Sequence, residues 1–111
     1  MSKMDNHQSE ISVGNLKNRL DKGEDILLVD VREPYEYRIA HLGGVLIPLG
    51  QLAEKMGELD RNREIVVYCH HGNRSGIAVE FLKNQGFGKV LNLVGGIDQW
   101  SQVVDPSVPR Y

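Results

Sequence analysis

One cysteine, Cys69, is all the thiol this 111-residue chain has. An internal disulfide is thereby excluded, and a lone thiol fits a reducing compartment, so a cytoplasmic location is expected. Positive charge is not in excess either. Thirteen Lys and Arg face fifteen Asp and Glu, for a formal charge of −2, which argues against a nucleic-acid surface built from clustered cations. No apolar run approaches the ~20 residues a membrane-spanning helix needs. Met1 to Glu10 is polar and lacks the apolar centre of a signal peptide, so it is expected to be a flexible N-terminal segment. Internal repeats and low-complexity tracts are missing as well. What remains is ordinary for a soluble globular protein, with 41% hydrophobic and 25% charged residues in a length that suits one domain and one core.

The richest stretch surrounds the lone cysteine: Tyr68-Cys69-His70-His71-Gly72-Asn73-Arg74-Ser75-Gly76. Ile65-Val66-Val67-Tyr68 precedes it, a continuous apolar and β-favouring run that suits a strand buried on both faces. After it, Ile77, Ala78, Phe81 and Leu82 recur at helical spacing until Gly86. Cys69 therefore falls where a buried strand ends and a helix begins, the place where open parallel sheets put their ligand sites. The thiolate is the reactive form of cysteine, and a helix N-terminus or a nearby cation favours it. Both are expected here. A helix starting near Arg74 points unpaired N–H groups back at the loop, and Arg74 itself is always charged. Gly72 can take backbone angles other residues avoid, letting successive N–H groups turn inward as an anion nest. The bland alternative is a buried cysteine that only packs; the strand, glycine, arginine and helix around it argue for chemistry instead.

Along the rest of the chain, strand and helix signals alternate. Ile11-Ser12-Val13 is expected as a short edge strand, followed by a helix bearing Leu16 and Leu20 and capped at Gly23. Ile26 to Val31 is a second apolar strand. Pro34 opens a short helix through Tyr37, and Val45 to Ile47 is a short strand. Leu52, Met56 and Leu59 mark a helix broken at Gly57. Ser75 to Gln85 follows the Cys69 loop as a helix, Lys89 to Leu93 is the last strand, and Gly95-Gly96 opens a helix ending near Trp100. The alternation implies an α/β fold: a central, mainly parallel sheet of about five strands flanked by helices in three layers.

Asp30 and Arg32 read first as a structural ion pair at a strand end, with a substrate role for Arg32 as the sharper alternative. His41 reads as a hydrogen-bonded turn residue, and Trp100, Tyr35 and Tyr37 as packing residues. His70 and His71 beside a cysteine invite a metal, but three consecutive residues have poor geometry for one tetrahedral ion, so no metal is expected. A Cys–His base pair is conceivable; the milder role is backbone N–H groups in the nest and side chains flanking the mouth. Gly95 and Gly96 read as a tight turn with close backbone approach.

Four stretches together resemble one family. Cys69 to Arg74 reads C-H-H-G-N-R and is similar to the active-site loop of rhodanese-type sulfurtransferases. Asp30-Val31-Arg32-Glu33 resembles that family's D-x-R-E strand end. His41-Leu42-Gly43-Gly44 and Gly95-Gly96-Ile97-Asp98-Gln99-Trp100 resemble two further motifs, in the right order. The resemblance implies a rhodanese-like domain over residues 11–102, between the polar segment 1–10 and an extended tail 103–111 with two prolines, Pro106 and Pro109. That tail also resembles the end of the rhodanese-like domain that follows some adenylyltransferases. The implied activity is transfer of a sulfane sulfur from a donor such as thiosulfate, through a persulfide on Cys69, to a thiol, cyanide or a sulfur-carrier protein. Cys69 would be the catalytic residue, with His70, His71, Gly72, Asn73, Arg74 and Ser75 as the substrate-binding loop. No cofactor is needed, no nucleic acid or membrane is expected as a partner, and a monomer suffices. Two other classes stay in view. A non-catalytic interaction module is one; a cysteine phosphatase or arsenate reductase is the other. The phosphatase signature has one residue more between Cys and Arg, and the shorter loop here suits a single sulfur better than a tetrahedral phosphate.

Overall fold

A computed structural model describes residues 9–111 of the chain. The polar segment expected to be flexible falls for the most part outside the described residues. Its last two residues do not fit that expectation: Ser9 is buried and Glu10 is in a strand.

Five strands form one sheet: β1 (Glu10–Ile11), β2 (Ile26–Asp30), β3 (Val45–Leu46), β4 (Glu64–Tyr68) and β5 (Val90–Leu93). Their order is β1-β5-β4-β2-β3, and every pairing is parallel. The helices are α1 (Val13–Asp21), α2 (Pro34–Ile39), α3 (Leu52–Lys55), α4 (Asn73–Asn84) and α5 (Gly96–Val103). Single 3₁₀ turns at Leu49–Gln51 and Met56–Glu58 flank α3, so the stretch expected to break at Gly57 does so.

The central strand explains itself from its sequence. Ile65, Val66, Val67 and Tyr68 have no exposed surface, as a strand covered by helices on both faces requires. Side chains alternate across a strand, and here they feed two cores. Ile65, Val67 and Cys69 point into one with Ala78, Val79 and Leu82 of α4 and Leu52 of α3. Val66 and Tyr68 point into the other with Leu16 of α1 and Ile97 and Trp100 of α5. Burying each such side chain is worth about 1.5–3 kcal/mol. Cys69 thus enters the α4 core by simple continuation of the β4 alternation.

Three local differences from the sequence reading have plain causes. Ser12 does not extend the edge strand: its hydroxyl accepts from Asn15 N at 3.1 Å, capping α1, so the strand stops at Ile11. α4 begins at Asn73 because Gly72, at φ +108°, turns the chain directly into the helix. α2 runs on to Ile39 and α5 to Val103, past the boundaries that short motifs suggest.

β2 and β4 are neighbours, and from them the chain leaves in opposite directions, to β3 and to β5. The ends of β2 and β4 are therefore the switch point of the sheet, and they carry Asp30, Arg32 and Cys69.

Candidate active site

Cys69 retains 1% of its surface, and its Sγ is surrounded by donors. Gly72 N donates to Sγ at 3.1 Å and Ser75 N at 3.3 Å. Ser75 Oγ lies 3.3 Å from the same sulfur. The loop from β4 to α4 thus turns two backbone amides inward onto one atom, as expected of a nest. The amides are those of Gly72 and Ser75, rather than those of the histidines. The sulfur is both embedded among apolar side chains and solvated by amides, so burial by itself does not make it inert.

Ser75 is wholly buried and has one proton to place. Its hydroxyl donates to Asn92 Oδ1 at 2.6 Å, while Asn92 Nδ2 donates to Gly72 O at 3.2 Å. That network fixes which end of the Asn92 amide faces Ser75. While it holds, a protonated Cys69 is the donor to Ser75 Oγ; an ionised sulfur could accept the hydroxyl proton only if Ser75 turned away from Asn92. Asn92, on β5, was not singled out in the sequence, because a partner seventeen residues from Ser75 leaves no local pattern.

Gly96, the first residue of α5, has a measurable reason. A Cβ on Gly96 would come 2.4 Å from His70 O and 2.5 Å from Cys69 O, and Gly96 has φ +61°. This close approach lets Ile97 N donate to Cys69 O at 2.9 Å and Asp98 N to His70 O at 3.1 Å. The first turn of α5 therefore pins the backbone of the nucleophile itself.

Arg74 closes the loop, but not as a free cation. Nη1 and Nη2 donate to Glu36 Oε1 and Oε2 at 2.6 and 2.9 Å. Glu36, on α2, is 3% exposed. The Arg74 guanidinium, opposed by burial, holds its carboxyl down at about 2, helped by the Glu33 amide and the Tyr111 hydroxyl. Glu36 also accepts the hydroxyl of Tyr111 at 2.8 Å. Neither Glu36 nor Tyr111 was marked in the sequence as part of the site. Burial pushes the Tyr111 phenol up to about 12.

Arg32 is fully buried. It donates to both oxygens of Asp30 at 2.9 and 2.7 Å, to Ala40 O at 2.7 Å and to Tyr111 Oη at 2.7 Å. With its donors spent on these partners it is a structural hub, as the bland reading held, and has no surface to offer a substrate.

His70 and His71 do flank the loop. Their rings stack with centroids 3.9 Å apart, and Tyr111 lies on the other face of His70 at 3.9 Å and 5°. Burial and the neighbouring His71 both push the His70 imidazole below its usual value. His70 Nε2 is buried without a hydrogen-bond partner. His70, His71 and Asp98 bring ligand atoms within 4.8 Å of one another. Asp98 is already paired with Arg110 at 2.9 Å. His41 Nδ1 accepts from Gly43 N at 3.1 Å, a turn role as expected. Trp100 is buried, whereas Tyr35, expected to pack, is 58% exposed because it lies on the solvent face of α2. Asn73, the remaining loop position, opens α4.

A thiol at the carboxyl end of the central parallel strand, met by two inward amides and followed by an arginine paired with Glu36, marks a cysteine-centred loop on an α/β domain. The rhodanese-like domain family matches residues 12–103, and this chain belongs to it. The chain is 40% identical over 95 residues to a sulfurtransferase of Allochromatium vinosum, covering 85% of this chain and 89% of that protein. It is 44% identical over 93 residues to "Putative sulfur carrier protein YrkF" of Bacillus subtilis, covering 83% of this chain and 50% of that one. It is 35% identical over 111 residues to the adenylyltransferase and sulfurtransferase MOCS3-2 of Zea mays, covering 93% of this chain but 23% of its relative. The chain thus spans half or less of the length of two of these three relatives. A rhodanese-related protein of Thermoplasma volcanium superposes with a TM-score of 0.80 at 33% identity, over 92% of this chain and 98% of that one. Among the described residues no helix is long and apolar enough to cross a membrane.

Proposed function

We propose that the domain moves a sulfane sulfur through a persulfide on Cys69. The observation that carries this reading is the pair of amides, Gly72 N and Ser75 N, aimed at one sulfur. In the first step the Cys69 thiolate attacks the outer sulfur of thiosulfate. A new S–S bond forms, the donor's S–S bond breaks, and sulfite leaves with the electron pair. In the second step an acceptor nucleophile attacks the outer sulfur of the persulfide and the thiolate leaves. Covalent exchange of this kind gives ping-pong kinetics. The inward amides stabilise negative charge on whichever sulfur occupies the nest. Ser75 adds a third donor when its hydroxyl turns from Asn92 to the sulfur. Arg74 acts through Glu36 by bracing the loop, rather than by gripping the donor directly.

Thiols, cyanide and a sulfur-carrier protein are the acceptors this chemistry accommodates. The last is favoured by relatives whose names include a sulfur carrier and adenylyltransferase–sulfurtransferases. Thiosulfate:cyanide transfer and aryl-phosphate hydrolysis, assayed side by side on wild type and Cys69→Ala, test the proposal. Sulfur transfer lost in the variant supports it. Hydrolysis without transfer would replace it with phosphatase chemistry, and silence in both assays would leave an interaction module.

A further inference from the structure

From the sequence, residues 103–111 read as an extended tail. Its last two residues instead meet the active-site loop from outside. The Tyr111 ring lies flat on His70, the residue next to Cys69. The Tyr111 hydroxyl reaches Glu36 Oε2, the carboxylate that holds Arg74 at the far end of the same loop. Arg32 Nη1 donates to that hydroxyl from below. One aromatic side chain therefore bridges the loop from its second residue to its closing arginine. Arg110 anchors the strap beside it, on Asp98 at 2.9 Å, and Asp98 also faces His71 at 3.8 Å. Upstream, Ser101 Oγ donates to Val108 O and ties the strap to α5. In the same loop Cys69 keeps 1% of its surface, and His70, the residue Tyr111 stacks on, has a buried nitrogen without a partner.

Resting on the sulfur-transfer reading above, we propose that Tyr111, seated by Arg110, is the selecting wall of the mouth: it admits slim reagents to Cys69 and turns away wide ones. The physical basis is steric exclusion by a ring fixed on both its face and its hydroxyl, which discriminates by what it blocks rather than by what it binds. The chemistry on Cys69 stays the same for both widths of donor. A thiosulfonate, like thiosulfate, gives its outer sulfur to the thiolate as its S–S bond breaks, and a sulfinate leaves with the electron pair.

Because Cys69 is the sole cysteine, its alkylation reads access without assuming the reaction. Rates are measured for iodoacetamide, which is slim, and N-phenylmaleimide, which is wide, on wild type, Tyr111→Phe, Tyr111→Ala and Arg110→Glu. In Tyr111→Ala the wide-to-slim rate ratio is expected to rise about tenfold, whereas Tyr111→Phe, which keeps the stacked ring, stays within about threefold of wild type. Arg110→Glu sets two like charges together, frees the strap without touching the loop, and moves the ratio in the same direction as Tyr111→Ala. The same set is then assayed for transfer from thiosulfate and from benzenethiosulfonate, where the preference for thiosulfate should fall in parallel. An unchanged alkylation ratio in both Tyr111→Ala and Arg110→Glu overturns the selecting wall and leaves sulfur transfer standing. A raised ratio with no transfer from either donor overturns sulfur transfer and leaves the wall as a gate to Cys69.

Discussion

Replacing Glu36 by glutamine keeps the shape of the side chain that braces the loop and removes its charge. In the folded protein the carboxyl is held at about 2, against an ordinary value of 4.5, chiefly by the Arg74 guanidinium. A carboxyl held down in this way contributes stability that is fully present above the unfolded value and is lost as pH falls toward the folded one. The difference converts to about 3 kcal/mol at pH 7. Arg74 keeps 35% of its side chain in solvent, so screening brings the expected figure to about 2–3 kcal/mol. At pH 3, midway through the titration, roughly half of that remains. Urea unfolding of wild type and Glu36→Gln at pH 7 and pH 3 measures it directly, since the other carboxylates titrate alike in both proteins and cancel. A gap between the two that does not narrow on acidification, or one below about 0.5 kcal/mol at pH 7, would refute the claim that this half-buried ion pair holds the loop.

Three further expectations follow from the site. Ser75→Ala removes the hydroxyl that can turn from Asn92 to an ionised sulfur, and should lower sulfur transfer by about tenfold to a hundredfold while unfolding less than about 2 kcal/mol more easily, read by kinetics and denaturation together. Gly96→Ala forces a methyl against two carbonyl oxygens at a positive φ; it should destabilise by about 2 kcal/mol or more and slow transfer, and wild-type values in both would contradict the pinning of Cys69 by α5. Arg74→Ala should weaken transfer from thiosulfate more than Arg110→Ala, because the first loosens the loop and the second only its outer strap; equal effects would count against the loop assignment.

The parts of this structure visible in the sequence were those set by neighbours in the chain. Ile65 to Tyr68 announced the central strand by composition, and the helix after Cys69 by the spacing of Ala78 and Leu82. The cysteine, Gly72 and Ser75 came from one nine-residue stretch, so their grouping was legible. Gly95-Gly96 signalled close approach, though not that the approach is to Cys69 itself. What was not legible came from pairings across the fold. Glu36 meets Arg74 thirty-eight positions away, Asn92 meets Ser75 across seventeen, and Tyr111 meets Glu36 across seventy-five. Each of these is an ordinary residue in its own segment and acquires a role only when the parallel sheet brings the strand ends together. Arg74 was legible as a cation beside the cysteine, whereas its carboxylate partner on α2 was not.

The central claim is that the amide-ringed sulfur accepts and carries a sulfur atom. Intact-mass analysis of the protein incubated with thiosulfate and freed of small molecules tests it most directly. The account predicts the mass of one added sulfur, mapped to the peptide containing Cys69, absent in Cys69→Ala and discharged by cyanide. A wild-type protein that gains no sulfur under these conditions, or gains one that cyanide does not remove, would contradict it.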